Sequence, residues 1–113
     1  ICINPDHYVV AKDTFLPVMG YYAHQMASQL SRDDFIWMGK PYSIFSRLVQ
    51  SVLQSNGHDV RHLIFCDDNP LNVQQMVQDL SCTGCAITDT GVFSKYQSMA
   101  QLDGMNLISH CKL

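Results

Sequence analysis

The sequence predicts an α/β fold built on a parallel sheet, and two observations carry that expectation. Short apolar runs alternate with amphipathic helical segments along the chain, which is the order of βαβ units with right-handed crossovers. Each run is also apolar nearly throughout, as strands covered on both faces should be. The runs are Ile1 to Ile3, Phe35 to Met38, Leu63 to Cys66 and Cys85 to Thr88.

The helical segments follow from spacing. From about Pro17 to Leu30, residues Met19, Tyr22, Ala23, Met26 and Leu30 fall on one face, and Pro17 suits a first helical turn. From about Pro41 to Ser55 the stripe is Phe45, Leu48, Val49, Val52 and Leu53, with Asn56-Gly57 as a left-handed stop. From about Pro70 to Leu80 it is Val73, Met76, Val77 and Leu80, with Asn69 as N-cap. A short helix over 95–102 and a last strand over 106–109 complete the expectation. A sheet of so few strands leaves a hydrophobic edge that native proteins cover. A segment preceding Ile1, or a second chain in a homo-oligomer, is expected to cover it.

Composition narrows the class. The chain has 113 residues and suits one domain at most. Hydrophobic residues at 47 % against charged residues at 15 % exclude a disordered chain. A formal charge of −3 is too small to steer a partner, and no basic run interleaves with aromatics, so no nucleic acid is expected. No apolar stretch reaches the length of a membrane span. The sequence opens on Ile1 rather than Met and reads as a fragment or a processed chain. The five cysteines, Cys2, Cys66, Cys82, Cys85 and Cys111, are odd in number and scattered, which points to a reducing compartment such as the cytoplasm.

The residues that could carry chemistry stand where the apolar runs end. Leu63-Ile64-Phe65-Cys66 leads into Asp67-Asp68-Asn69-Pro70, and ligands of open α/β sheets bind at the carboxyl ends of strands. Two carboxylates about 5 Å apart repel by roughly 3 kcal/mol at an effective dielectric of 20. A hard cation such as Mg²⁺ removes that repulsion. The structural alternative is that Asp68 and Asn69 only cap the next helix. Asp67, read as the first residue past the strand, is the better ligand. Gly39-Lys40-Pro41 follows the run Phe35 to Met38, so parallel strands would bring Lys40 to the same rim as Asp67. A lysine there can neutralise a phosphoryl group or a carboxylate. Asn4-Pro5-Asp6 and Thr90-Gly91-Val92-Phe93 are loops at the ends of the first and last runs.

Taken as an ordered set, Asn4-Pro5-Asp6, Gly39-Lys40-Pro41, Asp67-Asp68 and Thr90-Gly91-Val92-Phe93 resemble the class IIA phosphatases of the haloacid dehalogenase (HAD) superfamily. That group includes p-nitrophenyl phosphatase-like, phosphoglycolate and pyridoxal phosphate phosphatases. The resemblance spans nearly the whole chain. It implies that residues 1–34 are the end of an α/β cap domain and that residues 35–113 are the C-terminal part of a Rossmann-like core. It implies that Lys40 holds the nucleophile and the transferring phosphoryl group. Asp67 and Asp68 would bind Mg²⁺, Asn72 would support them, and Asn4 and Asp6 would lie near the substrate at the cap junction. The substrate would be a small phosphorylated metabolite, hydrolysed through an aspartyl-phosphate.

The chain departs from the family at three points. The family's nucleophilic aspartate precedes the matched region and has no substitute here, so this chain alone is expected to be inactive. Cys66 stands where the family has glycine, and Asn72 where it has a further aspartate. These changes leave room for a catalytically degenerate scaffold that binds a protein partner. A response-regulator receiver domain would also begin with an acidic pair such as Asp67-Asp68, but it leaves Gly39-Lys40-Pro41 unexplained. Cys82-Thr83-Gly84-Cys85 lacks a second pair at zinc spacing and reads as two ordinary thiols around a turn. The scattered histidines read as surface or satisfied, Met19, Tyr22 and Met26 as core, and Trp37 as a packing residue in a strand.

Overall fold

The computed structural model describes residues 1–12, 14–31 and 34–87. The expectations for Thr90-Gly91-Val92-Phe93, for the helix over 95–102 and for the strand over 106–109 lie outside these residues. The fold is mixed α/β. It contains a two-stranded antiparallel sheet, β1 (Tyr8–Ala11) with β2 (Thr14–Pro17), and a two-stranded parallel sheet, β3 (Ile64–Asp67) with β4 (Thr83–Ala86). Helix α1 (Met19–Ala27) follows the hairpin, α2 (Ser43–Ser55) precedes β3, and α3 (Pro70–Leu80) crosses over from β3 to β4.

The expected single sheet is thus replaced, among the described residues, by two small ones and an isolated parallel pairing. Ile1 to Ile3 and Phe35 to Met38 do run side by side, but they share only the pairing of Cys2 with Trp37. Its two hydrogen bonds run from the Cys2 N–H to the Ile36 carbonyl (2.8 Å) and from the Met38 N–H to the Cys2 carbonyl (2.9 Å). The strand expected over Leu63 to Cys66 is shifted by one residue. Asp67 pairs with Ala86 and is therefore the last residue of β3, not the first beyond it. The strand expected over Cys85 to Thr88 starts earlier, at Thr83.

The hairpin takes over the residues expected to start the first helix. Pro17 pairs with Tyr8 at the end of β2, where its missing N–H costs no ladder bond at an edge. Lys12, at φ 53°, supplies the left-handed residue of the short turn between Ala11 and Thr14. No Asn-Gly or Asp-Gly marks this turn in the sequence. The helix that follows starts at Met19, and its apolar stripe is not core. Met19 is 72 % exposed, and Tyr22, Met26 and Leu30 are exposed as well.

The core instead gathers around α3. Met76, Leu80 and Cys82 are buried together, with Phe45 and Val49 of α2 and Leu63, Phe65 and Val77 packed against them. Of the stripe on α2, Leu48 and Val52 face outward, and the small Ser46 is the residue fully buried. Its hydroxyl sits 3.3 Å from the Met76 sulfur, which lets α2 approach α3 closely. Asn69 caps α3 as expected, accepting a hydrogen bond from the Leu71 N–H at 3.1 Å. Ser81, at φ 53°, ends it in a left-handed turn. Asn56 and Gly57 end α2, with Gly57 at φ 73°.

Met76 is 1 % exposed, so Met76→Ala should cost about 2–5 kcal/mol in urea unfolding. Met19→Ala should change stability by less than about 0.5 kcal/mol. Equal losses would place the core elsewhere.

Candidate functional site

Lys40 and Asp67 meet at the end of β3, although the strand segment before Lys40 and β3 share no pairing among the described residues. The Lys40 ammonium forms an ion pair and hydrogen bond with Asp67 Oδ2. Two features deliver it. The turn after Trp37 is closed by the Tyr42 N–H donating to the Gly39 carbonyl at 3.0 Å, so α2 begins two residues later than Pro41. The Lys40 stem then runs past Phe65, whose ring centre lies 5.9 Å from the ammonium. The Lys40–Pro41 peptide is cis.

Asp67 is almost withdrawn from water, at 7 % exposure. Its second oxygen, Oδ1, accepts the Asn69 N–H at 2.8 Å and the Asn72 side-chain amide at 3.2 Å. A buried carboxylate is tolerated only when it is paired and hydrogen-bonded. Here one cation and two N–H donors, from three places in the chain, do that work. Asn72 is itself buried, and its amide oxygen has no hydrogen-bond partner. One acceptor thus stands unsatisfied beside the ion pair.

Asn4-Pro5-Asp6 joins the same rim by close packing. A Cβ at Gly39 would fall 2.2 Å from the Ile3 carbonyl oxygen and 2.2 Å from Pro5 Cδ. A Cβ at Gly20 would fall 2.2 Å from the Pro5 oxygen and 2.3 Å from the Asp6 oxygen. Both glycines are therefore places where another backbone lies too near for a side chain. Together they hold the turn between α1 and the Gly39-Lys40 loop. Asn4 closes it by accepting the Asp6 N–H at 3.1 Å. Asp6 then lies within electrostatic reach of Lys40, Asp67 and Asp68. Burial holds the Asp6 carboxyl above the ordinary aspartate value. Lys40 pulls it down, while Asp67 and Asp68 push it further up.

The rim therefore collects three acids and one lysine, Asp6, Asp67, Asp68 and Lys40. The oxygen donors of Asp67, Asp68 and Asn72 are of the hard type that suits Mg²⁺. They fit only part of a site, because Lys40 already takes one Asp67 oxygen, and no three His, Cys, Asp or Glu residues come together as metal ligands among the described residues. Cys82 and Cys85 are both buried and not bonded to each other.

Beside this rim lies a group of rings that sequence reasoning did not assemble. Trp37 stacks on His24 with ring centres 4.1 Å apart, and on Tyr42 at 5.6 Å. His24 meets His7 edge-on at 4.2 Å. Burial, and then His7, lowers the His24 pKa. No spacing rule links residues 7, 24, 37 and 42, so nothing in the sequence announced the stack.

No family model matches the chain, and it matches no curated protein and no solved structure. No helix among the described residues is long and apolar enough to cross a membrane.

Asp6 gives a pH test with a defined sign. Its folded pKa is raised, so between the ordinary aspartate value and the raised one the folded chain binds more protons than the unfolded chain. Stability contributed by this group therefore falls as pH rises through that window. Asp6→Asn should flatten that part of the profile and raise the urea midpoint at neutral pH. An unchanged slope, or a lower midpoint, would show that Asp6 is not strained by burial.

Proposed function

We propose that the chain is the C-terminal part of a HAD-type phosphate monoester hydrolase, acting on a small phosphorylated metabolite. The observation that carries this reading is the Lys40–Asp67 pair, formed between the loop that follows the Trp37 strand segment and the last residue of β3. It supports a rim arranged to balance negative charge, which is what a transferring phosphoryl group brings. In this reading residues 1–34 end a cap domain, and residues 35–113 belong to a Rossmann-like core. The nucleophilic aspartate would come from outside the 113 residues, and the chain alone would not turn over.

Each residue then has a task that its surroundings suit. Lys40 is half-exposed, with its ammonium at the rim, so it can hold the carboxylate now and a phosphoryl oxygen when substrate arrives. Asn69 and Asn72 keep Asp67 aimed, since both donate to its Oδ1. Asn4 and Asp6, pinned by Gly20 and Gly39, stand where a cap would meet the core. A magnesium ion held by Asp67 and Asp68 would, when bound, supply further positive charge for the transferring group.

A second reading, a degenerate HAD-like scaffold that binds a protein partner, is favoured by one specific feature. Asp67 is already neutralised by Lys40, and its neighbour Asn72 brings no charge. The discriminating assay is hydrolysis of p-nitrophenyl phosphate by the complete protein that carries this chain, with and without Mg²⁺. The phosphatase reading expects magnesium-dependent turnover that falls by about 10²–10³-fold in Lys40→Ala and in Asp67→Ala. A folded protein inactive across a panel of phosphate esters would favour the scaffold. Turnover that survives both substitutions would put the active site elsewhere.

A further inference from the structure

The parallel register of β3 and β4 sets Cys66 directly opposite Cys85. Side chains alternate between the two faces of a strand, and register partners in a parallel pair point to the same face. The face turned to α3 is marked by Asp67, which meets Asn72, and by Gly84, where a Cβ would lie 2.6 Å from both Val73 and Val77. Cys66 and Cys85 are one residue out of step with these, so both point away from α3. Cys82 points the other way, its thiol lying 3.6 Å from the Met76 carbonyl in the core. The Cys-x-x-Cys pair that the sequence presents is thus split across the sheet. The thiol that faces Cys85 is Cys66, nineteen positions away from it in the chain.

Adjacent strands lie about 4.8 Å apart, inside the roughly 4.4–6.8 Å range of Cα separations in disulfides. The Cβ atoms must close to about 4.5 Å or less, a small approach of two neighbouring strands. Cys66 is exposed and open to small oxidants, Cys85 beside it on the neighbouring strand is buried, and neither is in a disulfide. An exposed thiol backed by a second one within reach is the arrangement of a thiol that oxidises and then resolves.

We propose that Cys66 and Cys85 are an oxidisable pair that closes a cross-strand disulfide when a peroxide reaches Cys66. The Cys66 thiolate attacks the peroxide O–O bond, giving the sulfenic acid and releasing water. The Cys85 thiolate then attacks the Cys66 sulfur, forms the S–S bond and displaces hydroxide, which leaves as a second water. The two thiols are oxidised by two electrons, and the peroxide is reduced. The new bond ties β3 to β4 one residue before Asp67, at the strand end that carries the ion pair. This inference does not rest on the phosphatase reading.

The test is to treat the full chain with hydrogen peroxide, block remaining thiols, and cut before aspartates without reducing. That cleavage separates residues 59–66 from residues 79–88, so only a disulfide can hold the two fragments together. Fragment sequencing of the linked pair then distinguishes Cys82 from Cys85. The expected result is a Cys66–Cys85 link, absent in Cys66→Ala and reversed by a thiol reductant. A Cys82–Cys85 bond, a Cys66–Cys82 bond, or oxidation of Cys66 that stops at the sulfenic or sulfinic acid would overturn the proposal.

Discussion

A carboxylate held at 7 % exposure, Asp67, sets the terms for the structure around it. An isolated charge at that depth would neutralise itself or unfold its surroundings. The chain answers with the Lys40 ammonium on one oxygen and two N–H donors on the other. Each donor fixes a different part of the fold. Lys40 holds the loop that follows Trp37, the Asn69 backbone holds the start of α3, and Asn72 turns the first turn of α3 toward β3. The ion pair is therefore also a link, beside the packing of α2 on α3, between the Cys2–Trp37 pairing and the β3–β4 sheet, which share no strand hydrogen bonds among the described residues.

Backbone contact completes the rim. Pro5 and Asp6 lie against Gly20, and Ile3 and Pro5 lie against Gly39, at distances that exclude a side chain. These contacts carry Asp6 into the field of Asp67 and Asp68, where its own charge is disfavoured. The result is a rim with more acids than cations, partly relieved by one lysine. Such a rim suits a site that binds further positive charge, or one that exchanges Lys40 between a carboxylate and an anionic ligand.

Much of this site was legible in the sequence because each residue follows an apolar run. Lys40 and Asp67 could be placed on one rim by strand polarity alone. Asn69 was legible as a cap and α3 as a helix with the correct bounds, since Pro70 starts it and its stripe is regular. The hairpin was not legible. Lys12 takes a left-handed conformation that the sequence does not advertise, and Pro17 suits an edge strand as well as a helix start. The stripe on α1 failed as a core for a related reason. Periodicity shows which residues share a face, but the hairpin and α1 leave that face uncovered among the described residues. Asn72 and Ser46 were missed as buried because their burial depends on partners, Asp67 and Met76, that only the packed structure supplies.

The most direct test of this account is a double-mutant cycle on Lys40→Met and Asp67→Asn, read by urea unfolding. A shared ion pair predicts non-additive losses, with a coupling energy of about 1–3 kcal/mol, Lys40 being partly open to solvent. Losses that add within about 0.5 kcal/mol would mean that the two residues do not depend on each other, and the rim would need another explanation.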